Sequence, residues 1–132
     1  MSEPGDRLER YLEDELEECR TEDVDRRLDE LARLQSVVDS DRVDDDVSVL
    51  SALANDTRYR LVRSLVAADG ELCVCELHPL VDVSESAVSH AMSSLVDAGL
   101  VTRRKEGKWR KYESTDLAER LIDALDGGVH DE

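Results

Sequence analysis

The chain has 132 residues, enough for one compact domain with an appendage and too few for two full domains. Its net charge is −16, and no apolar run approaches the roughly eighteen residues that a transmembrane helix needs. The N-terminus is charged from its start and lacks the apolar core of a signal peptide, so neither membrane insertion nor secretion is expected.

The three cysteines are an odd number, and two are separated by a single residue. That pattern argues against a disulfide framework and for reduced thiols in a cytoplasmic protein. Charge is unevenly spread. Residues 1–50 hold 18 acidic and 7 basic side chains, whereas residues 51–132 hold 15 and 10. Within the second part, Arg103, Arg104, Lys105, Lys108, Arg110 and Lys111 are opposed locally only by Glu106, leaving a basic patch on an acidic molecule. A local field of this kind can dock phosphates whatever the net charge. The excess of Asp over Glu and the scarcity of Lys resemble proteins of salt-accumulating microbes.

In chain order, Leu8, Leu12, Leu16 and Cys19 form a helical stripe, and Val24, Leu28, Leu31, Gln35 and Val38 form a second. Residues 6–39 therefore read as one long or two shorter amphipathic helices, with a helix start at Thr21-Glu22-Asp23 capped by Thr21. Residues 39–46 read as a polar acidic linker, with Asp44, Asp45 and Asp46 solvated; they lack the spaced ligands and central Gly of a calcium loop. A helical period runs from Val49 through Leu53 and Tyr59 to Val66 and ends near Asp69-Gly70. A short apolar segment follows over Leu72–Leu80, cut by Pro79. Ser84 caps a helix through Val88 and Met92 that stops at Gly99. Two β-compatible runs flank Glu106-Gly107 as a hairpin, in which Trp109 and Tyr112 read as packing aromatics. Thr115 caps a last helix. The expected organisation is a helical extension over 1–46, a DNA-binding domain over 47–127 and a tail over 128–132.

The order helix, short helix, helix, hairpin, helix predicts a mostly α fold with a small β-hairpin wing, a winged helix-turn-helix. The helix begun at Ser84 presents Ser86, Ser89, His90, Ser93 and Ser94, which together with Ser84 are small polar groups suited to DNA contact in a major groove. The basic hairpin beside it can grip flanking phosphates of double-stranded DNA, which position the protein while base contacts specify.

These residues resemble the ArsR/SmtB family of metalloregulatory repressors. The matching segments are Leu53-Ala54-Asn55-Asp56-Thr57-Arg58, the box Glu71-Leu72-Cys73-Val74-Cys75-Glu76-Leu77, the helix Val83–His90, and Ala98-Gly99-Leu100-Val101 with the wing. The resemblance spans roughly residues 48–125. It implies a homodimer on a palindromic operator, repressing a detoxification or efflux operon until a metal binds. A third box cysteine found in some arsenic-sensing members is replaced here by His78. The His and carboxylate zinc site of other members is not expected on the last helix. Cadmium- and lead-sensing members draw a cysteine from an N-terminal extension, where this chain has Cys19.

Thiolates select thiophilic ions. Cys73 and Cys75 are the candidate ligands for arsenite or antimonite, or for cadmium or lead, with His78 or Cys19 as third ligand; no organic cofactor is expected. On an ideal helix residues two apart point about 200° from each other, so chelation by both requires non-helical geometry. Cysteines also serve as small buried hydrophobes, and Cys19 lies on the apolar stripe of its helix. No catalytic motif is present, so an enzyme is not expected. A thiol-based redox switch on the same scaffold is the alternative.

Overall fold

The computed structural model describes residues 4–15, 21–68 and 70–127. The chain divides into two compact units, Met1–Val43 and Asp44–Glu132. The first holds two helices, α1 (Pro4–Glu15) and α2 (Thr21–Val38), which pack on one another through Leu12, one of the buried residues. After α2 the chain does not relax into the expected acidic linker. A third helix, α3 (Asp41–Leu53), begins after only two intervening residues, Asp39 and Ser40, and includes Asp44, Asp45 and Asp46. Asp41 lies in its first turn, where the positive helix end favours a carboxylate. Charge density marked this segment as solvated, which it is; it did not mark it as non-helical.

The continuous helical period expected from Val49 to Val66 is also broken. Asn55 adopts an extended conformation and its side-chain oxygen accepts from the Arg58 N–H at 3.0 Å, starting α4 (Asp56–Ala67). Arg58 in turn donates from Nε to the Ala52 carbonyl at 2.7 Å, closing the end of α3. The stretch Leu72–Leu80 resolves into a two-residue strand β1 (Leu72–Cys73), a one-turn helix α5 (Val74–Leu77) and a 3₁₀ turn at His78–Leu80. Then follow α6 (Glu85–Asp97), β2 (Val101–Glu106), β3 (Trp109–Ser114) and α7 (Asp116–Leu125).

Two of the three expected caps are made: Ser84 accepts from the Ala87 N–H at 3.0 Å and Thr115 from the Ala118 N–H at 3.3 Å, whereas Thr21 is itself the first residue of α2. Gly99, at φ +78°, ends α6. The Leu100 N–H reaches the Leu95 carbonyl and the Gly99 N–H reaches that of Val96, each at 3.0 Å, the paired bonds of a left-handed helix stop. Thr115 then donates its hydroxyl to the Gly99 carbonyl at 2.9 Å, so the start of α7 is fastened to the end of α6.

The core of the second unit joins Leu61, Val62 and Leu65 of α4 to Leu77, to Val88, Met92 and Leu95 of α6, and to Ala118 and Ile122 of α7. The sheet contributes Val101 and Tyr112, both 2% exposed. Strand order is β1-β3-β2, all antiparallel. The fold is the mostly α winged helix-turn-helix expected from the sequence, with one addition: the wing has a third strand.

Candidate DNA interface and thiol site

In α6 the buried positions Val88, Ala91, Met92 and Leu95 recur at helical spacing. Burying that stripe leaves Ser86, Ser89, His90, Ser93 and Ser94 exposed on the remaining surface. The candidate groove-reading residues are therefore where the sequence put them. Ser84 differs, because its hydroxyl is committed to the cap.

The hairpin turns on Gly107-Lys108 rather than on Glu106-Gly107. Glu106 pairs with Trp109 in register, and Gly107 has φ +63°. A two-residue turn with Gly first suits the twist of the flanking strands. Register and alternation then sort the basic residues onto two faces. Arg103, Lys105 and Arg110 share the face that carries Val101 and Tyr112 into the core at its base. All three are exposed and make no ion pair among the described residues. Lys108 sits at the tip, its ammonium 5.5 Å from the centre of the Trp109 ring. Trp109 is half exposed, against the expectation that it packs; Tyr112 does pack.

Arg104 and Lys111 lie on the opposite face. Arg104 donates from Nε and Nη2 to the two carboxylate oxygens of Glu71, at 2.6 and 2.7 Å, and from Nη2 to Glu106 at 2.8 Å. Lys111 reaches Glu106 at 3.2 Å. The Arg104 guanidinium holds both carboxyls below the usual carboxylate range, and Lys111 adds to the effect. Glu106 is the local carboxylate opposing the basic run, as expected, and a second one, Glu71, joins it from outside the run. Glu71 lies 33 residues away, and the third strand brings it in.

Cys73 and Cys75 straddle the junction of β1 and α5. Cys73 is extended, with φ −90° and ψ 167°, and Cys75 stands inside the helix. Two residues within one helix would diverge; with Cys73 outside it, the Cα atoms are 5.3 Å apart and the sulfurs meet. They are joined in a disulfide, which corrects the expectation of two free thiols. The physical reason is local: the strand-to-helix corner supplies the non-helical geometry that chelation was argued to need. Glu76 steadies the corner by accepting from the Cys73 N–H at 3.0 Å. Cys73 is buried and Cys75 exposed. His78 is half-buried, and among the described residues no three His, Cys, Asp or Glu side chains are grouped to hold a metal. Cys19 lies outside the described residues.

A candidate arsenical resistance operon repressor, ArsR, of Halobacterium salinarum is 55% identical over 122 residues, covering 92% of this chain and 95% of the relative. The family pattern described as bacterial regulatory protein, arsR family, matches residues 55–103. The chain belongs to the arsR family.

Solved structures agree with that membership. HlyU from Vibrio cholerae matches with a TM-score of 0.59 and 31% identity, over 67% of this chain and 95% of that one. A homodimeric winged helix-turn-helix DNA-binding domain from Mycobacterium bovis matches with a TM-score of 0.55 and 25% identity, over 70% and 96%. As an arsR-family member the chain is a DNA-binding regulator of transcription, and α6 with the hairpin is its helix and wing.

Sequence reasoning missed Glu71 and Glu76 as working parts of this arsR-family site, although both lie in the cysteine box. The capping signal for Glu76 was readable, since a carboxylate three residues after an N-cap position is a known pattern. No local signal marked the Glu71–Arg104 pair.

Proposed function

We propose that this chain is a repressor that releases its operator when a thiophilic ion binds the reduced Cys73–Cys75 pair. Arsenite or antimonite is the leading inducer, and cadmium or lead the next. The observation that carries the reading is the strand-to-helix corner, which sets two sulfurs side by side with one of them exposed. The relative named for arsenical resistance supports the choice of ion. When bound, the ion supplies soft bonds to two thiolates. The chain's own residues do the rest: Glu76 holds the corner, Ser86, Ser89, His90 and Ser93 face the groove, and the wing grips phosphate. Cys19 or His78 completes a three-ligand site, and a homodimer meets a palindromic operator. The protein works in the cytoplasm and catalyses no reaction.

The test is fluorescence anisotropy on a duplex that the reduced protein selects from a random library, at two potassium chloride concentrations. Phenylarsine oxide is the probe because it needs only two sulfurs. Two S–As bonds form, and the arsenic-bound oxygen leaves as water with both thiol protons. We expect release of the duplex by this probe and by arsenite, abolished in Cys73→Ser and in Cys75→Ser. Binding of DNA that neither compound disturbs would sink the reading.

The sulfur–sulfur bond favours a second reading, a redox switch. Two thiols and one hydrogen peroxide give the disulfide and two waters. Release by peroxide in the presence of a chelator, with no response to arsenite, would select it.

A further inference from the structure

Cys73, Lys111 and Arg104 form one row across the sheet. Cys73 pairs in register with Lys111 of β3, and Lys111 with Arg104 of β2. Directly opposed residues in antiparallel strands project from the same face, with Cβ atoms about 4.5–5.5 Å apart. The row therefore runs from the sulfur pair to two wing cations with no intervening loop. Glu71, immediately before β1, reaches along the same side and takes both inner donors of Arg104, at 2.6 and 2.7 Å. Its carboxylate is the one group outside the hairpin that ties Arg104 among the described residues, since Glu106 belongs to β2 itself.

We infer that Glu71 is the positioning residue that carries the state of the Cys73–Cys75 pair to the wing. It does so by holding Arg104 away from DNA when the two sulfurs are bridged. The inference rests on the repressor reading above and names its transmission step. Bridging fixes the β1–α5 corner and with it the backbone on which Glu71 is mounted. A firmly mounted Glu71 keeps Arg104 in a two-pronged pair on the face opposite Arg103, Lys105 and Arg110. With the sulfurs unbridged, the corner is freer, and Arg104 can exchange a carboxylate for a phosphate. Charge-assisted pairs of this geometry are directional, so a small shift of the strand end is enough to change partners.

The experiment compares wild type, Glu71→Gln, Arg104→Gln and Glu106→Gln as full-length reduced proteins. For each, the Kd for the selected duplex is measured with and without phenylarsine oxide, and the ratio is taken. Mass spectrometry confirms that the arsenical has loaded. Couplings of this kind usually span about 5–150-fold, and we expect the wild type within that range. Glu71→Gln should reduce the ratio to below about threefold, mainly by tightening DNA binding of the loaded protein. Arg104→Gln breaks the same tie from the other end and should also reduce the ratio, by weakening DNA binding of the unloaded protein while leaving that of the loaded protein nearly unchanged. Glu106→Gln should keep the wild-type ratio while shifting both affinities together. A Glu71→Gln protein with the wild-type ratio would overturn the inference, as would an equal loss in Glu106→Gln, which would assign the effect to wing charge in general. A wild type that loads the arsenical and stays on DNA is a separate result, and it defeats the repressor reading instead.

Discussion

On one face of the β2–β3 hairpin, Arg103, Lys105 and Arg110 stand exposed without an ion pair among the described residues. On the other, Arg104 and Lys111 are held by Glu71 and Glu106. The five cations lie within nine consecutive positions, yet the pleat sorts them into two electrostatic states. A run of basic residues in a sequence is thus not one patch. The open face is ready for phosphate at once, whereas each paired cation must first give up a carboxylate.

The largest effect should come from removing what both faces stand on. Tyr112 is 2% exposed and carries the hairpin into the core. Tyr112→Ala should cost about 3–5 kcal/mol, in the range of other large buried aromatics, measured by urea unfolding. A loss below roughly 1 kcal/mol, nearer the scale of a surface change, would mean that the wing is not anchored there. Next in size is the contrast itself. Replacing Arg103, Arg110 and Lys105 together with Ala should weaken DNA binding at least about tenfold. It should also lower the slope of log affinity against log salt by about two to three, one phosphate for each cation. Replacing Arg104 alone in the arsenical-loaded protein should leave that slope nearly unchanged; equal slopes lost on the two faces would erase the distinction.

The smallest effect is a titration. Arg104, and then Lys111, hold the Glu106 carboxyl below the usual range. A carboxylate depressed in the folded state adds stability above its ordinary pKa, and that contribution disappears as pH falls through the lowered value. Carbon-detected NMR should find Glu106 titrating below the ordinary ~4.3, with the protection of wing amides relative to free peptide falling as the pair is lost in acid. Titration at the ordinary value would show that the pair does not persist in solution.

Much of this architecture could be read from local pattern. Ser84, Thr115 and Gly99 punctuate the helices as their side chains dictate, and the buried stripe of α6 fixes which serines face outward. The interruption at Asn55 was equally local and was overlooked because apolar spacing ran on across it. Other features had no local signature. A two-residue strand such as β1 is defined only by its partner, and the Glu71–Arg104 pair spans a separation that no periodicity samples. The helicity of the Asp44–Asp46 segment went unread for a different reason. Acidic side chains describe how a surface meets water, and a helix meets water as readily as a coil does.

The unequal exposure of the two sulfurs gives the site an order in time. Cys75 faces solvent and Cys73 does not, so the thiophilic ion proposed above would meet the outer sulfur first and close onto the inner one afterwards. The outer sulfur then governs how fast an encounter is caught. Release must begin by breaking one of two bonds, and the freed inner sulfur remains poised beside the ligand to re-form its bond. On that proposal the pair would catch quickly and let go slowly, so a brief exposure to inducer would leave a response that outlasts it.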